Sequence, residues 1–247
     1  MPDKKKETLF NDDEYMRIFN RMANGMRCML EQKDDILSLL EKYGIDQLDS
    51  YRIVELGCGY GDKLEFFLNN FLKNGTLEWY TGYDYSQVSI DRNNALYKND
   101  SRLRFEFKDI TQPETFSNIN ANFVYDWWGA SYSGVEHSLR AAYKLLAPGG
   151  YYLLANWRGG IDVPDLMHRQ TLAEIKRVRS WKSLTGLIAG TQLKIKGYTS
   201  FVEGVVFPSP EEVPEILESN DFLPIHVGTC FCEDSNLLVL AQKKYKN

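Results

Sequence analysis

The chain has 247 residues, 43% of them apolar and 13% aromatic, enough to bury the core of one large α/β domain or two small ones, which excludes disorder as a global description. Its 29 Lys and Arg face 34 Asp and Glu, a formal net charge of −5, so the body repels polyphosphate and anionic membrane surfaces, and nucleic acid is disfavoured as the main partner. Mean hydropathy is −0.40, and no run approaches the roughly 18 consecutive apolar residues of a spanning helix, so a soluble chain is expected.

Lys4, Lys5 and Lys6 are followed by no apolar run, so the layout of a secretory leader is missing and a cytoplasmic location is expected. Cys28, Cys58, Cys230 and Cys232 form no CxxC pair and stand near no His at zinc-finger spacing. Four reduced thiols and no metal are therefore expected. Residues 14–43 carry apolar side chains at three- and four-residue steps, among them Tyr15, Phe19, Met22, Met26 and Met29. This predicts helices, divided at Gly25, that make an N-terminal cap over residues 1–49.

From Tyr51 the pattern changes to short apolar runs ending in glycine or acid, each followed by a helical segment, the signature of alternating β and α units. Strands are predicted at 52–57, 78–84, 103–109, 122–127 and 151–157, with helices at 62–72, 87–97 and 135–147; Pro148, Gly149 and Gly150 punctuate the last helix before its strand. These make a core over 50–157. Residues 158–207 break the repeat, with a helical stretch at 165–188 and alternating segments at 194–207. We read them as an insertion after the fifth strand, where open α/β sheets gather their ligands. In 208–247, Ser209, Pro210 and Glu212 have the spacing of a capped helix start. Two strands follow, at 222–231 and 236–244, too close together for a helical crossover and so an antiparallel hairpin.

The segment Val54-Glu55-Leu56-Gly57-Cys58-Gly59-Tyr60-Gly61-Asp62 runs from a strand through a glycine-rich turn into a helix. Glycines there let the chain turn sharply and let a ligand approach the main chain. A dinucleotide fingerprint spaces its third glycine one residue later. Glu55 is also unwelcome beside a phosphate and suits a ligand with a cationic amino group.

With these residues the chain resembles the class I S-adenosylmethionine-dependent methyltransferases over about 50–157 and the C-terminal hairpin. The resemblance implies a Rossmann-like three-layer α/β sandwich, a single domain over 1–247 with a seven-stranded, mostly parallel sheet whose last strand is antiparallel. It implies S-adenosylmethionine as cofactor. Asp84, at the end of the second strand, corresponds to the acid that takes the ribose hydroxyls; Asp109, after the third, to the acid that meets the adenine amino group, with Ile110 on the purine. Glu55, Gly57, Cys58, Gly59, Tyr60, Gly61, Tyr85 and Tyr125 complete the implied cofactor set. Both aspartates also suit strand ends and helix caps.

The fourth strand's exit, Tyr125-Asp126-Trp127-Trp128, lacks the Asn/Asp-Pro-Pro-Tyr/Phe sequence of the amide- and DNA-amine-methylating branches, so those substrates are not expected. Asp126 and Asn156 match two magnesium ligands of the catechol-type branch, but Ala155 stands in place of the missing acid, so no metal is expected. Trp127, Trp128, Tyr132 and Trp157, with Tyr15, Phe19, Arg158 and Arg169 from cap and insertion, are the expected acceptor-binding residues; the aromatics suit a core equally well. His137, His168 and Asp126 are the groups available for proton transfer. Residues 158–200 hold eight Lys and Arg against three acids, which suits an anionic small molecule with a carboxylate or phosphate handle, or simply a solvated basic helix face. Methyl transfer to O or N of such a molecule leads. Methyl transfer to protein or RNA, a nicotinamide oxidoreductase and a silent binding module remain as alternatives. The oligomeric state is not legible.

Overall fold

The computed structural model describes residues 12–25, 27–70, 75–159, 185, 188–189, 191, 207–230 and 234–245. Helices α1 (Asp13–Gly25) and α2 (Arg27–Lys42) precede β1 (Ser50–Leu56). The alternation continues through α3 (Asp62–Asn70), β2 (Thr76–Asp84), α4 (Gln87–Leu96), β3 (Leu103–Phe107) and β4 (Ala121–Trp127). The single turn α5 (Ala130–Ser133), α6 (Val135–Leu145), β5 (Leu146–Trp157), α7 (Val213–Ser219), β6 (Phe222–Cys230) and β7 (Asn236–Lys243) complete it. The seven strands form one sheet in the order β3-β2-β1-β4-β5-β7-β6. Strands β1 to β5 pair in parallel, and β7 runs antiparallel to both β5 and β6.

Strand alternation sorts side chains into two apolar layers. Ile53, Phe123, Tyr125, Leu153 and Leu240 face α1 to α4 through Tyr15, Ile36, Leu40, Phe67 and Ile90. Val54, Val124, Tyr152, Leu154 and Val239 face α6 and α7 through Leu139, Ala142, Leu145 and Leu217. Because β1 and β4 are adjacent but lie on opposite sides of the connection reversal, the loops after them part at the sheet's C-terminal edge and leave a crevice.

Two expectations shift. Strand β5 begins at Leu146, because Leu146 pairs with Ala121 and the Pro148-Gly149-Gly150 bend, with Gly149 at φ 76°, is taken up as an irregularity inside the strand. The Ser209 box closes a turn: Glu212 Oε2 accepts the Ser209 N–H at 2.7 Å, and the helix starts only at Val213. The 158–207 insertion lies almost wholly outside the described residues. No helix among the described residues is long and apolar enough to cross a membrane.

Candidate cofactor site

The crevice is a cleft of about 1010 Å³ including its open mouth, walled by the loops after β1 to β4 and by the first turn of α1. After β1, Gly57 N–H and Cys58 N–H both donate to Tyr83 O, at 2.8 and 3.0 Å, so the turn is hung from the end of β2. Gly57 has φ 76°, and a Cβ there would stand 2.9 Å from Gly129 Cα. Only glycine permits this approach of the two loops. Gly59 (φ 48°) and Gly61 (φ 78°) continue the turn, and Asn93 Nδ2 donates to Gly59 O at 2.7 Å.

Asp84 stands on the wall at the end of β2. Its Oδ2 accepts Gly59 N–H at 2.8 Å and its Oδ1 accepts Ser86 N–H at 2.7 Å. Burial raises its pKa above the ordinary carboxylate value, against these bonds and Lys63. The bonds fix both oxygens while leaving each a lone pair for a ligand hydroxyl. Beyond it, Asp109 accepts from Thr111 N and Oγ1 and from Gln112 Nε2 at 2.7 to 3.0 Å. With Ile110 and Tyr85 it forms the far end of the wall.

Tyr60 lines the cleft and ties it to the cap, donating to Asp13 Oδ1 at 2.5 Å while Arg92 lies over its ring at 4.3 Å. The opposite wall is aromatic: Trp127, Trp128, Tyr132 and Tyr15. Trp128 sits at φ 77°, costly for a non-glycine residue. Both indole N–H groups converge on one acceptor, Gln32 Oε1, at 2.7 Å from Trp127 and 2.9 Å from Trp128. Replacing Gln32, which is buried on α2, by Met is expected to orphan both donors and cost about 2 kcal/mol. Denaturant unfolding with tryptophan emission measures this, and an unchanged midpoint and spectrum would show that the indoles need no such partner.

Several expected residues do not reach the wall. Glu55 shares the β1 face of Ile53 and points into the layer under α3. It is fully buried and accepts from Tyr80 Oη at 2.5 Å and Tyr125 Oη at 2.7 Å. Burial pushes its pKa up to about 7. Tyr125 is buried with it, and Cys58 is buried under the turn. Gly61 shapes the turn without lining the cleft. Asp126 does not line the cleft: its Oδ1 accepts Ala130 N–H at 2.9 Å at the start of α5 and its Oδ2 accepts Ser138 Oγ–H, which fastens α6. Burial raises it to about 6. His137 is not among the lining residues, and its Nδ1 is held by Ser133 O at 2.8 Å. Trp157 supports Trp128 edge-on at 4.7 Å, and Arg158 bonds Asp234 O in the β6–β7 loop. Asn156 accepts from Ser131 Oγ and Trp157 N. The Phe19 side chain, His168 and Arg169 lie outside the described residues. Among the described residues no group of three or more His, Cys, Asp or Glu is placed to hold a metal ion.

The structure adds Met16, Asp62, Lys63, Thr111, Gly129 and Ser133 to the wall. Lys63 was within reach of sequence reasoning as the second residue of the helix after the glycine turn. Gly129 was legible only as a glycine at a strand exit.

The arrangement fits an adenosine with an amino acid tail on three observations: the aspartate oxygens fixed after β2, the acid and apolar pair after β3, and a turn that a Cβ at Gly57 would close. Residues 54–152 match the family described as a methyltransferase domain. No curated protein matches the chain. Among solved structures, the chain is similar to the citrinin polyketide synthase CMeT domain, at 15% identity over 98% of this chain and 60% of that one, TM-score 0.62. It is similar to the N-methyltransferase NodS from Bradyrhizobium japonicum, solved with S-adenosyl-L-homocysteine, at 15% identity over 98% of each chain, TM-score 0.57. A third, an S-adenosylmethionine-dependent methyltransferase from Mesorhizobium loti, shares 20% identity over 80% of this chain and 93% of that one, TM-score 0.51.

Proposed function

We propose that the chain, whose residues 54–152 match the methyltransferase domain family, uses S-adenosylmethionine to methylate an oxygen or nitrogen of a small anionic molecule. The observation that carries the reading is the division of one cleft into a polar cofactor wall, set by Asp84 and Asp109, and an aromatic wall, set by Tyr15, Trp127, Trp128 and Tyr132.

When bound, S-adenosylmethionine supplies a methyl carbon on a positively charged sulfur, open to displacement by a lone pair. The chain's part is positioning and exclusion of water. Asp84 takes the ribose hydroxyls and Asp109 the adenine amino group. The four aromatics keep the acceptor's surroundings dry and limit its orientations. Held by Gln32, the indoles meet an incoming acceptor as fixed planes, with little ordering cost left for binding. An anionic oxygen needs no base to accept the methyl group, which agrees with the structural duties of Asp126 and His137.

Support for the anionic handle comes from charge: the surplus of five basic side chains over 158–200 on a chain of net charge −5. The same acidic body favours a small acceptor over RNA. The test is turnover of methyl-labelled cofactor with a fractionated small-molecule extract. Label is expected in an anionic small product, and label in protein or RNA would overturn the small-acceptor reading. Replacing Arg169, Arg177 and Arg179 together by Gln is expected to raise the acceptor KM about tenfold or more, while the Kd for S-adenosylhomocysteine stays within about twofold. An unchanged KM removes the handle.

A further inference from the structure

The acid of the glycine motif does not touch the cleft, yet a charge beside it does. Lys63, in the first turn of α3, lines the cleft with its side chain only 14% exposed. Its Nζ donates to Gly57 O at 3.3 Å and stands 3.7 Å from Glu55 Oε1. That oxygen has no hydrogen-bond partner, whereas Oε2 is shared by two tyrosines. An ammonium carries three donors in a tetrahedral fan. One goes to the turn, one leans toward Glu55, and one remains for the cleft. The neighbouring wall residues show what faces it. Adenine and ribose belong at Asp109 and Asp84. The tail of the same ligand must then run from Asp84 past Gly57 toward α3, where the helix N-terminus adds partial positive charge.

We propose that Lys63 binds the α-carboxylate of the cofactor's amino acid tail, with Glu55 acting from beneath as the positioning residue that holds the ammonium in place. This rests on the cofactor reading above. It reassigns the motif's acid: Glu55 does not receive the ligand's amino group but lies beneath a mostly buried cation at the cleft, where an unpaired one is costly. Lys63 is thus the wall's cationic contact for the ligand, opposite in sign to Asp84 and Asp109.

Calorimetric titration compares two probes, S-adenosylhomocysteine and S-adenosyl-3-thiopropylamine, the same thioether without its carboxylate. The wild-type chain is expected to prefer the first by about 10- to 30-fold, the worth of a charge-assisted hydrogen bond. In Lys63→Met the preference should fall below about threefold, with the affinity for the decarboxylated probe unchanged, and Lys63→Arg should restore part of it. Because Lys63→Met leaves buried Glu55 without the neighbouring cation, the double variant Glu55→Gln/Lys63→Met is measured beside it and should behave alike. Equal loss of affinity for both probes, or a preference kept in either Met variant, overturns the proposal. A wild-type chain that binds neither probe overturns the cofactor reading itself, and a wild-type chain that binds both equally overturns the carboxylate contact alone.

Discussion

Asp84→Ala is expected to weaken binding of S-adenosylhomocysteine by a few hundred-fold, with the fold intact by circular dichroism. The magnitude has two sources. Two ribose hydroxyls lose an ionised acceptor, and each such bond is worth about 1.5–3 kcal/mol. The carboxylate also accepts Gly59 N–H at 2.8 Å and Ser86 N–H at 2.7 Å, so its removal frees the middle of the glycine turn. Together these come to about 3–4 kcal/mol, the lower end of a simple sum, because the freed N–H groups regain water. Asp84→Asn separates the two sources. Its carbonyl oxygen still accepts one backbone N–H while the charge is gone, so its loss should be smaller, by about tenfold. Isothermal titration of both variants checks the series. Asp84→Ala binding within about threefold of wild type would show that the aspartate only ends a strand and caps α4.

Most of the sheet was legible because each strand announces itself twice, as an apolar run and by the acid or glycine that stops it. Asp84 and Asp109 were legible for the same reason, since a strand that ends at the sheet's carboxyl edge delivers its next residue to the crevice. What the order of residues does not encode is which side of a strand faces the ligand. Glu55 lies one residue before Leu56 and two before Gly57, and only the pairing of Val54 with Thr81 and Val124 places it in the layer under α3 instead of at the rim. Tyr125, its register partner on β4, went the same way. Asp126 and His137 stand off the cleft lining for a different reason. Their partners, Ala130, Ser138 and Ser133, come from a one-turn helix and the start of α6, which the order of residues does not announce. Gln32 was invisible, because a glutamine within an amphipathic helix carries no sign that two tryptophans about 95 residues away will share its oxygen.

Buried Glu55 has a consequence for stability that pH reveals. Its carboxyl titrates near 7 in the folded chain, raised chiefly by burial, against about 4.5 for the ordinary side chain. As pH rises through that interval the unfolded chain gives up the proton while the folded chain keeps it, so the folded state binds more protons and stability falls with rising pH. The loss begins near pH 4.5, is complete just above pH 7, and amounts at most to about 3 kcal/mol. Lys63 does not cancel it, because its attraction offsets only part of the effect of burial. Asp126, raised to about 6 from 3.8, adds a loss of the same sign in a lower window. Glu55→Gln reproduces the shape of the protonated acid and still accepts from Tyr80 and Tyr125, at the expense of an amide donor that must find its own partner. The variant is therefore expected to be more stable than the wild type by about 1–2 kcal/mol at pH 8, with the difference closing toward pH 4.5. Urea unfolding of both chains across pH 4.5–8 measures it. A difference that stays constant with pH would mean that Glu55 is ionised throughout, and that its pairing with Lys63 outweighs its burial.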